Sequence, residues 1–278
     1  MAELAPTMQL RNGAVIPVLG LGTSPLQGAE SATQVRTALE AGYRLIDTAE
    51  NYRNEDAVGQ AIRDSGIDRS EVFITTKFNR RWHNVDGVRQ AYQASLKRLR
   101  VDYIDLLLVH WPNPDQDRYV DAVRGLQSIL DSDGLRAIGT SNFKPAHLKR
   151  VLDETGITPD VNQIQLSPYS TRNASRAYHA AHGIVTESYS PLGASGDELR
   201  NDPVITGIAK GHGKSATQVV LRWHIQLGLV AIPRSGNPGR IAENIDIFGF
   251  ELSEQEMDII SGLDQGEAVV ADSDVIGH

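Results

Sequence analysis

The sequence contains no cysteine. That excludes disulfides, thiolate zinc sites and cysteine nucleophiles, and leaves the compartment open. It also has no excess of positive charge: 27 Lys and Arg stand against 35 Asp and Glu, a net charge of −8. No basic stripe concentrates those cations, so neither a nucleic acid nor an anionic membrane is an expected partner. No apolar run approaches the ~18 residues that a membrane span needs. The opening Met1-Ala2-Glu3-Leu4-Ala5-Pro6 is acidic and has no apolar centre, unlike a secretory signal. A soluble cytoplasmic protein is the expectation.

Glycine-rich phosphate loops are missing as well. Gly20-Leu21-Gly22-Thr23-Ser24-Pro25 begins the dinucleotide pattern but carries Pro25 where the third glycine belongs. Gly213-Lys214-Ser215 imitates the end of a nucleotide P-loop, yet Ile208 stands where its first glycine is required. Asn173-Ala174-Ser175 is a glycosylation sequon by pattern, and with no secretory signal expected it is not expected to be modified. The eight histidines are scattered with no pair at metal-ligand spacing on one helix, so no metal site is expected.

What is present is a regular alternation. Short, mainly apolar runs at Val18–Leu21, Arg44–Ile46, Val72–Thr76, Ile104–Val109, Ala137–Gly139, Val161–Ile164, Val185–Glu187 and Val230–Ile232 read as strands. Apolar along most of their length rather than alternating, they fit strands covered on both faces. Between them lie amphipathic stretches at Ser31–Ala41, Glu55–Ser65, Val85–Leu99, Tyr119–Asp131, Pro145–Glu154, Ser175–His182 and Ser215–Leu227. Gly42, Gly66, Gly134, Gly156, Gly183 and Gly228 follow helical patterns as stops. Asn12-Gly13 between Met8–Arg11 and Ala14–Ile16 predicts a tight hairpin, placed before the first barrel strand as a cap on the barrel floor. The whole reads as α/β, a (β/α)8 TIM barrel forming one domain over residues 1–278.

Four polar residues follow successive strands: Asp47, Tyr52, Lys77 and His110. In such a barrel the carboxyl ends of the strands converge on one face, where chemistry takes place. An unperturbed tyrosine titrates near pH ~10, and an adjacent Lys77 would lower that by favouring the phenolate. Asp47 can hold Lys77, and His110 can hydrogen-bond a carbonyl oxygen. A tyrosine acid beside a carbonyl-binding histidine suits reduction, with hydride going to carbon and a proton to oxygen. Taken singly, each residue also has a plain reading: Asp47 as a helix N-cap, Tyr52 as packing with a wet hydroxyl, Lys77 as a solvated charge, His110 as a satisfied core histidine.

The chain resembles the aldo-keto reductases, and among them the bacterial branch that contains 2,5-diketo-D-gluconate reductases. The likeness runs from about Met8 to Leu263 through Gly20-Leu21-Gly22-Thr23, Gly42-Tyr43-Arg44-Leu45-Ile46-Asp47-Thr48-Ala49, Tyr52-x-Asn54-Glu55, Thr75-Thr76-Lys77 and Val109-His110-Trp111-Pro112. It continues through Ile138-Gly139-Thr140-Ser141-Asn142-Phe143, Val161-Asn162-Gln163, Ser190-Pro191-Leu192-Gly193, Ile232-Pro233-Arg234-Ser235 and Arg240-Ile241-x-Glu243-Asn244. The resemblance implies NADPH as cofactor, reversible carbonyl reduction of a small molecule, and a catalytic tetrad of Asp47, Tyr52, Lys77 and His110 with Tyr52 as acid. It places Gly22 and Thr23 beside the cofactor, Ser141, Asn142 and Gln163 on the nicotinamide amide, and Tyr189 stacked on its ring. It places Ser190 and Leu192 along the pyrophosphate, Arg234, Ser235 and Arg240 on the 2′-phosphate, and Glu243 and Asn244 on the adenine. Many relatives carry lysine where Arg234 stands; the charge survives, and two guanidiniums suit a phosphate dianion. Gly236-Asn237-Pro238-Gly239 reads as a flexible run for such a clamp.

The substrate pocket departs further from the family. Ser24 stands where relatives often have an aromatic residue, and Asn79 where many have tryptophan. Trp82 and His83 are expected at the mouth, Trp111 as the retained wall, and the stretch Ala268–Asp274 at the rim. A wider or more polar pocket follows. Two other readings compete with reduction: a Schiff-base aldolase using Lys77 as nucleophile, and a barrel that binds NADPH without turnover. The chain is expected to act as a monomer.

Overall fold

The protein, described here by a computed structural model, is defined for residues 4–130, 134–193 and 197–278. The helix expected to reach Asp131 is described as far as Leu130. Asp131 lies outside the described residues, as do Met1, Ala2 and Glu3 of the opening stretch.

Strands β1 (Thr7–Gln9) and β2 (Val15–Pro17) form the antiparallel hairpin, with Met8 opposite Ile16. Gly13 turns it at φ +92°, in the region where glycine is favoured. Leu10 and Ile16 share a buried cluster with Leu45, Phe73, Leu106 and Val230. The hairpin therefore seals the barrel floor, as its sequence position predicts.

Eight parallel strands follow: β3 (Leu21–Gly22), β4 (Leu45–Asp47), β5 (Phe73–Phe78), β6 (Leu106–Val109), β7 (Ala137–Ser141), β8 (Val161–Gln165), β9 (Val185–Tyr189) and β10 (Val230–Ile232). Each pairs with the next, and the parallel bridges Leu19–Ala231 and Gly22–Arg234 join β3 to β10. The ring is a (β/α)8 barrel. The first strand is displaced from its predicted range. Val18, Leu19 and Gly20 run beside β10, through bonds from Ala231 N to Val18 O and from Gly20 N to Ala231 O, both 2.9 Å, while Val18 N donates to the Pro6 carbonyl before the hairpin at 2.9 Å. Pairing on both sides begins at Leu21.

Around the barrel run α1 (Gly28–Glu40), α2 (Glu55–Asp64), α3 (Val85–Leu99), α4 (Tyr119–Leu130), α5 (Pro145–Thr155), α6 (Asn173–Ala181), α7 (Asp197–Asn201), α8 (Pro203–His212), α9 (Ala216–Gln226), α10 (Pro238–Ile245) and α11 (Glu254–Ser261). Their starts are chemically marked. Asn84 accepts from Gly87 N at 2.7 Å to cap α3, and Ser215 and Gln218 form a capping box on α9. The P-loop imitation dissolves into helix punctuation: Gly213 ends α8 at φ +63° and Ser215 begins α9. No helix of the described residues is long and apolar enough to cross a membrane.

Candidate active site

Asp47 ends β4, Lys77 is the penultimate residue of β5, and His110 follows β6 directly. Tyr52 closes a short 3-10 turn, Glu50–Tyr52, just after β4. Strand pairing thus brings the four together. Lys77 Nζ donates to Asp47 Oδ1 at 2.6 Å and to the Thr48 carbonyl at 3.0 Å, and reaches the Tyr52 hydroxyl at 3.5 Å. The His110 ring meets the Tyr52 ring edge-on, with centroids 6.0 Å apart. Asp47 is neither a helix cap nor a surface charge, and Lys77 is fully buried.

A second layer fixes the first. Thr23 N and Oγ1 both donate to the Asp47 carbonyl at 3.0 Å. Asn54 Nδ2 donates to Thr23 Oγ1 at 3.2 Å and its Oδ1 accepts from Thr48 Oγ1 at 2.6 Å. Gln163 Nε2 donates to Asp47 Oδ2 at 2.8 Å and to Glu187 Oε2 at 2.9 Å.

Charge follows from this packing. Burial raises Asp47 above its ordinary value, and the Lys77 charge together with hydrogen bonds from Lys77 and Gln163 offsets this only in part. Burial also disfavours the Lys77 cation, but Asp47, 2.6 Å away, with smaller help from Tyr52 and Glu187, outweighs it and holds Lys77 protonated. The 2.6 Å contact with the Lys77 cation is what favours the Asp47 carboxylate in a site that otherwise opposes charge. Burial and the Asp47 charge raise the tyrosine, while Lys77, as the sequence suggests, and also Arg234 lower it, and Tyr52 ends above its ordinary value. The expected depression is corrected: its sign holds for the Lys77 pair, and desolvation outweighs it. His110 is pushed well below its usual range by burial, Lys77 and His278, so it is a neutral imidazole.

Beside this set lies a cavity of about 190 Å³ lined by Gly22, Ser24, Asp47, Tyr52, Tyr189, Ser190, Ile232 and Arg234. Ser141 ends β7, and Asn142 follows it in the left-handed region at φ +64°. Asn142 Nδ2 donates to the His110 carbonyl at 3.1 Å, and its Oδ1 accepts from the Tyr189 hydroxyl at 2.8 Å. Thr23 is fully buried and turned to Asp47 rather than to the cavity. Leu192 packs on the apolar cluster holding Leu166 and Leu199. Ser235 is buried, its Oγ accepting from Asn237 N at 3.1 Å. The run expected to be flexible is a helix start: Asn237 Oδ1 caps α10 by accepting from Arg240 N at 3.1 Å. On α10, Glu243 is half-buried and Asn244 buried. Arg234 and Arg240 are exposed, and neither makes an ion pair among the described residues.

The substrate residues divide. Ser24 lines the cavity with Tyr52. Trp111 is buried beside the His278 ring, 6.0 Å between centroids, and its Nε1 has no partner. Asn79 N donates to Glu50 Oε2 at 3.3 Å, and Trp82 Nε1 lies 3.1 Å from the same oxygen, so both are anchored on the loop after β4. Asn79 borders a different cavity, shared with Glu50, Arg53 and Arg98. His83 is not at the mouth; it is buried edge-on against Phe78. The rim expectation extends further along the chain. Lys144 Nζ binds Asp272 at 2.6 Å and Asp274 at 2.5 Å, and the His278 ring stands 4.6 Å from that of His110.

Sequence reasoning missed Asn54 as a support, Glu50 as an anchor, His278 and Glu187. For Glu187 a signal existed: a carboxylate two residues before Tyr189 shares its face of the strand.

These features define a parallel α/β barrel with a buried lysine–carboxylate–tyrosine site on its carboxyl face. Residues 18–265 match the model of the aldo/keto reductase family. The chain is 45% identical over 269 residues to 2,5-diketo-D-gluconic acid reductase B of Corynebacterium sp. (strain SHS752001), covering 97% of each chain. It is 44% identical over 274 residues to methylglyoxal reductase DkgA of Escherichia coli (strain K12), covering 98% of each. The crystal structure of a Gox0644 mutant in complex with NADPH superposes with a TM-score of 0.93 at 38% identity, over 99% of this chain and 100% of that one. The chain belongs to the aldo/keto reductase family and is an oxidoreductase.

Proposed function

We propose that the protein reduces an aldehyde or ketone to an alcohol with NADPH, and that Tyr52 delivers the proton. The observation that carries this reading is Lys77 Nζ, 2.6 Å from the Asp47 carboxylate and 3.5 Å from the Tyr52 hydroxyl. The residues present fit the cofactor. Arg234 and Arg240 are exposed guanidiniums without carboxylate partners among the described residues, free to take a phosphate. Together with Ser235 they would hold the 2′-phosphate, with Glu243 and Asn244 at the adenine. Ser190 and Leu192 would flank the pyrophosphate, beside Gly22. Ser141, Asn142 and Gln163 would hold the nicotinamide amide, and Tyr189 its ring. Bound NADPH supplies the hydride that reaches the carbonyl carbon.

Neutral His110 orients the carbonyl oxygen toward the Tyr52 hydroxyl. Tyr52 gives its proton to that oxygen as charge develops there. The Lys77 cation stabilises the phenolate left behind, and Asp47 keeps Lys77 in place and charged. Ser24 and Trp111 border the carbonyl, with Asn79 and Trp82 in the adjoining loop. The relatives named as reductases of 2,5-diketo-D-gluconic acid and of methylglyoxal support a carbonyl substrate. The aldolase reading loses ground, because a lysine held protonated by Asp47 is a poor nucleophile. Residues 1–278 are taken as one cytoplasmic domain acting as a monomer, which sedimentation equilibrium tests.

The experiment is NADPH oxidation with a panel of small carbonyl compounds. General acid catalysis contributes ~10²- to 10⁴-fold, so Tyr52→Phe should lose that much turnover while binding NADPH normally by fluorescence titration. Full activity in the variant would remove Tyr52 from its role. NADPH binding with no turnover across the panel would favour a non-catalytic barrel.

A further inference from the structure

The proton-delivery set has a silent neighbour. Glu187 is fully buried in β9, in register with Gln163 on β8 and with Val230 on β10. Its Oε2 accepts from Gln163 Nε2 at 2.9 Å, and its Oε1 has no hydrogen-bond partner. The second N–H of the same amide goes to Asp47 Oδ2 at 2.8 Å. One amide therefore bridges two carboxyl groups, and only one of these touches a cation.

That asymmetry assigns the charge. Two carboxyl groups close to one lysine do not both ionise readily. Asp47 has Lys77 at 2.6 Å, while Glu187 has only the amide. The groups that act on Glu187 are Asp47 from β4, Lys77 from β5 and Gln163 from β8, while β10 presents apolar Val230. Burial, then the Asp47 charge, push Glu187 up to about 8, against the Gln163 hydrogen bond and the Lys77 charge. At neutral pH it is an un-ionised acid. The buried cluster is then balanced, with Asp47 negative and Lys77 positive. A proton leaving Tyr52 creates the one new anion, with Lys77 available to stabilise it. An ionised Glu187 would add a competing anion and raise the free energy of the phenolate.

We propose that Glu187 is a positioning residue for proton delivery: as a neutral carboxyl it anchors Gln163 against Asp47, and on ionising it weakens Tyr52 as an acid. This rests on Tyr52 being the proton donor. The test is kcat/KM for carbonyl reduction at saturating NADPH from about pH 6 to about pH 10, for wild type, Glu187→Gln and Tyr52→Phe in parallel. Wild type should decline as pH passes about 8. Glu187→Gln should keep neutral-pH activity within about threefold and hold it through that range, its decline beginning about one pH unit or more higher. A Glu187→Gln profile that coincides with that of wild type would overturn the proposal. An active Tyr52→Phe would instead overturn the proton-donor assignment, so the two failures are distinguishable. Should Glu187→Gln fold poorly, infrared titration of wild type against Glu187→Asp replaces it. A protonated carboxyl band at neutral pH that bleaches near pH 8 in wild type, and moves in the Asp variant, supports the assignment; no such band overturns it.

Discussion

Replacing Lys77 by methionine separates charge from packing at the centre of the site. The alkyl volume is kept, so little cavity forms. What is lost is the cation 2.6 Å from Asp47, in a pair whose side chains are 1% and 3% exposed. Asp47 then keeps only the Gln163 N–H at 2.8 Å. Removing one partner of a buried ion pair costs about 3–5 kcal/mol, and the Thr48 carbonyl loses its donor for about 1 kcal/mol more. The variant can escape by protonating Asp47. Its unfolded value is ~3.9, and burial raises the folded one once Lys77 no longer opposes it. The folded variant therefore binds more protons than the unfolded chain between those two values. Its stability falls as pH rises through that window, by about 1.4 kcal/mol per unit, and levels off above the folded value. Urea unfolding at about pH 5 and about pH 8 reads this directly. With m near 3 kcal/mol/M, the midpoint should fall by about 1–2 M at the higher pH and by clearly less at the lower. Adding Asp47→Asn should restore most of the loss, since no buried charge remains. A deficit that is equal at both pH values, or below about 1 kcal/mol, would refute the claim that Asp47 is a buried anion dependent on Lys77.

Two further expectations concern other parts of the chain. Arg240→Ala should weaken NADPH binding about tenfold or more, the range of a charge-assisted hydrogen bond, and leave NADH nearly unchanged; equal losses in fluorescence titrations would mean no 2′-phosphate clamp. Gly59→Ala would drive a Cβ into the Leu99 carbonyl oxygen, forcing α2 from α3 at about 1–3 kcal/mol; an unchanged thermal midpoint would show that the helices yield freely.

The barrel was legible because its strands are short, mainly apolar runs buried on both faces, which sets them apart from the amphipathic helices. Strand ends were less so. Lys77, Ser141 and Tyr189 belong to β5, β7 and β9, but their polarity hides continued backbone pairing. Helices α8 and α10 each start at a proline, Pro203 and Pro238, which fits the first turn of a helix but reads in isolation as a break. Asp47, Tyr52, Lys77 and His110 stood out as polar groups at or near apolar strand ends. The net displacement of Tyr52 did not, because burial belongs to the tertiary structure and no local spacing encodes it. The approach of His278 to His110 joins positions from remote parts of the chain and has no sequence pattern of its own.

The bridging amide of Gln163 has a consequence for recognition. A free carboxamide can swap its oxygen and nitrogen by a half-turn and greet donors or acceptors alike. Here both N–H bonds are committed, one to Asp47 and one to Glu187, so a half-turn would set an oxygen against two carboxyl groups. The remaining oxygen is therefore a fixed acceptor within the barrel. Whatever docks there is read for polarity as well as shape, and a group that presents a lone pair in place of an N–H is refused.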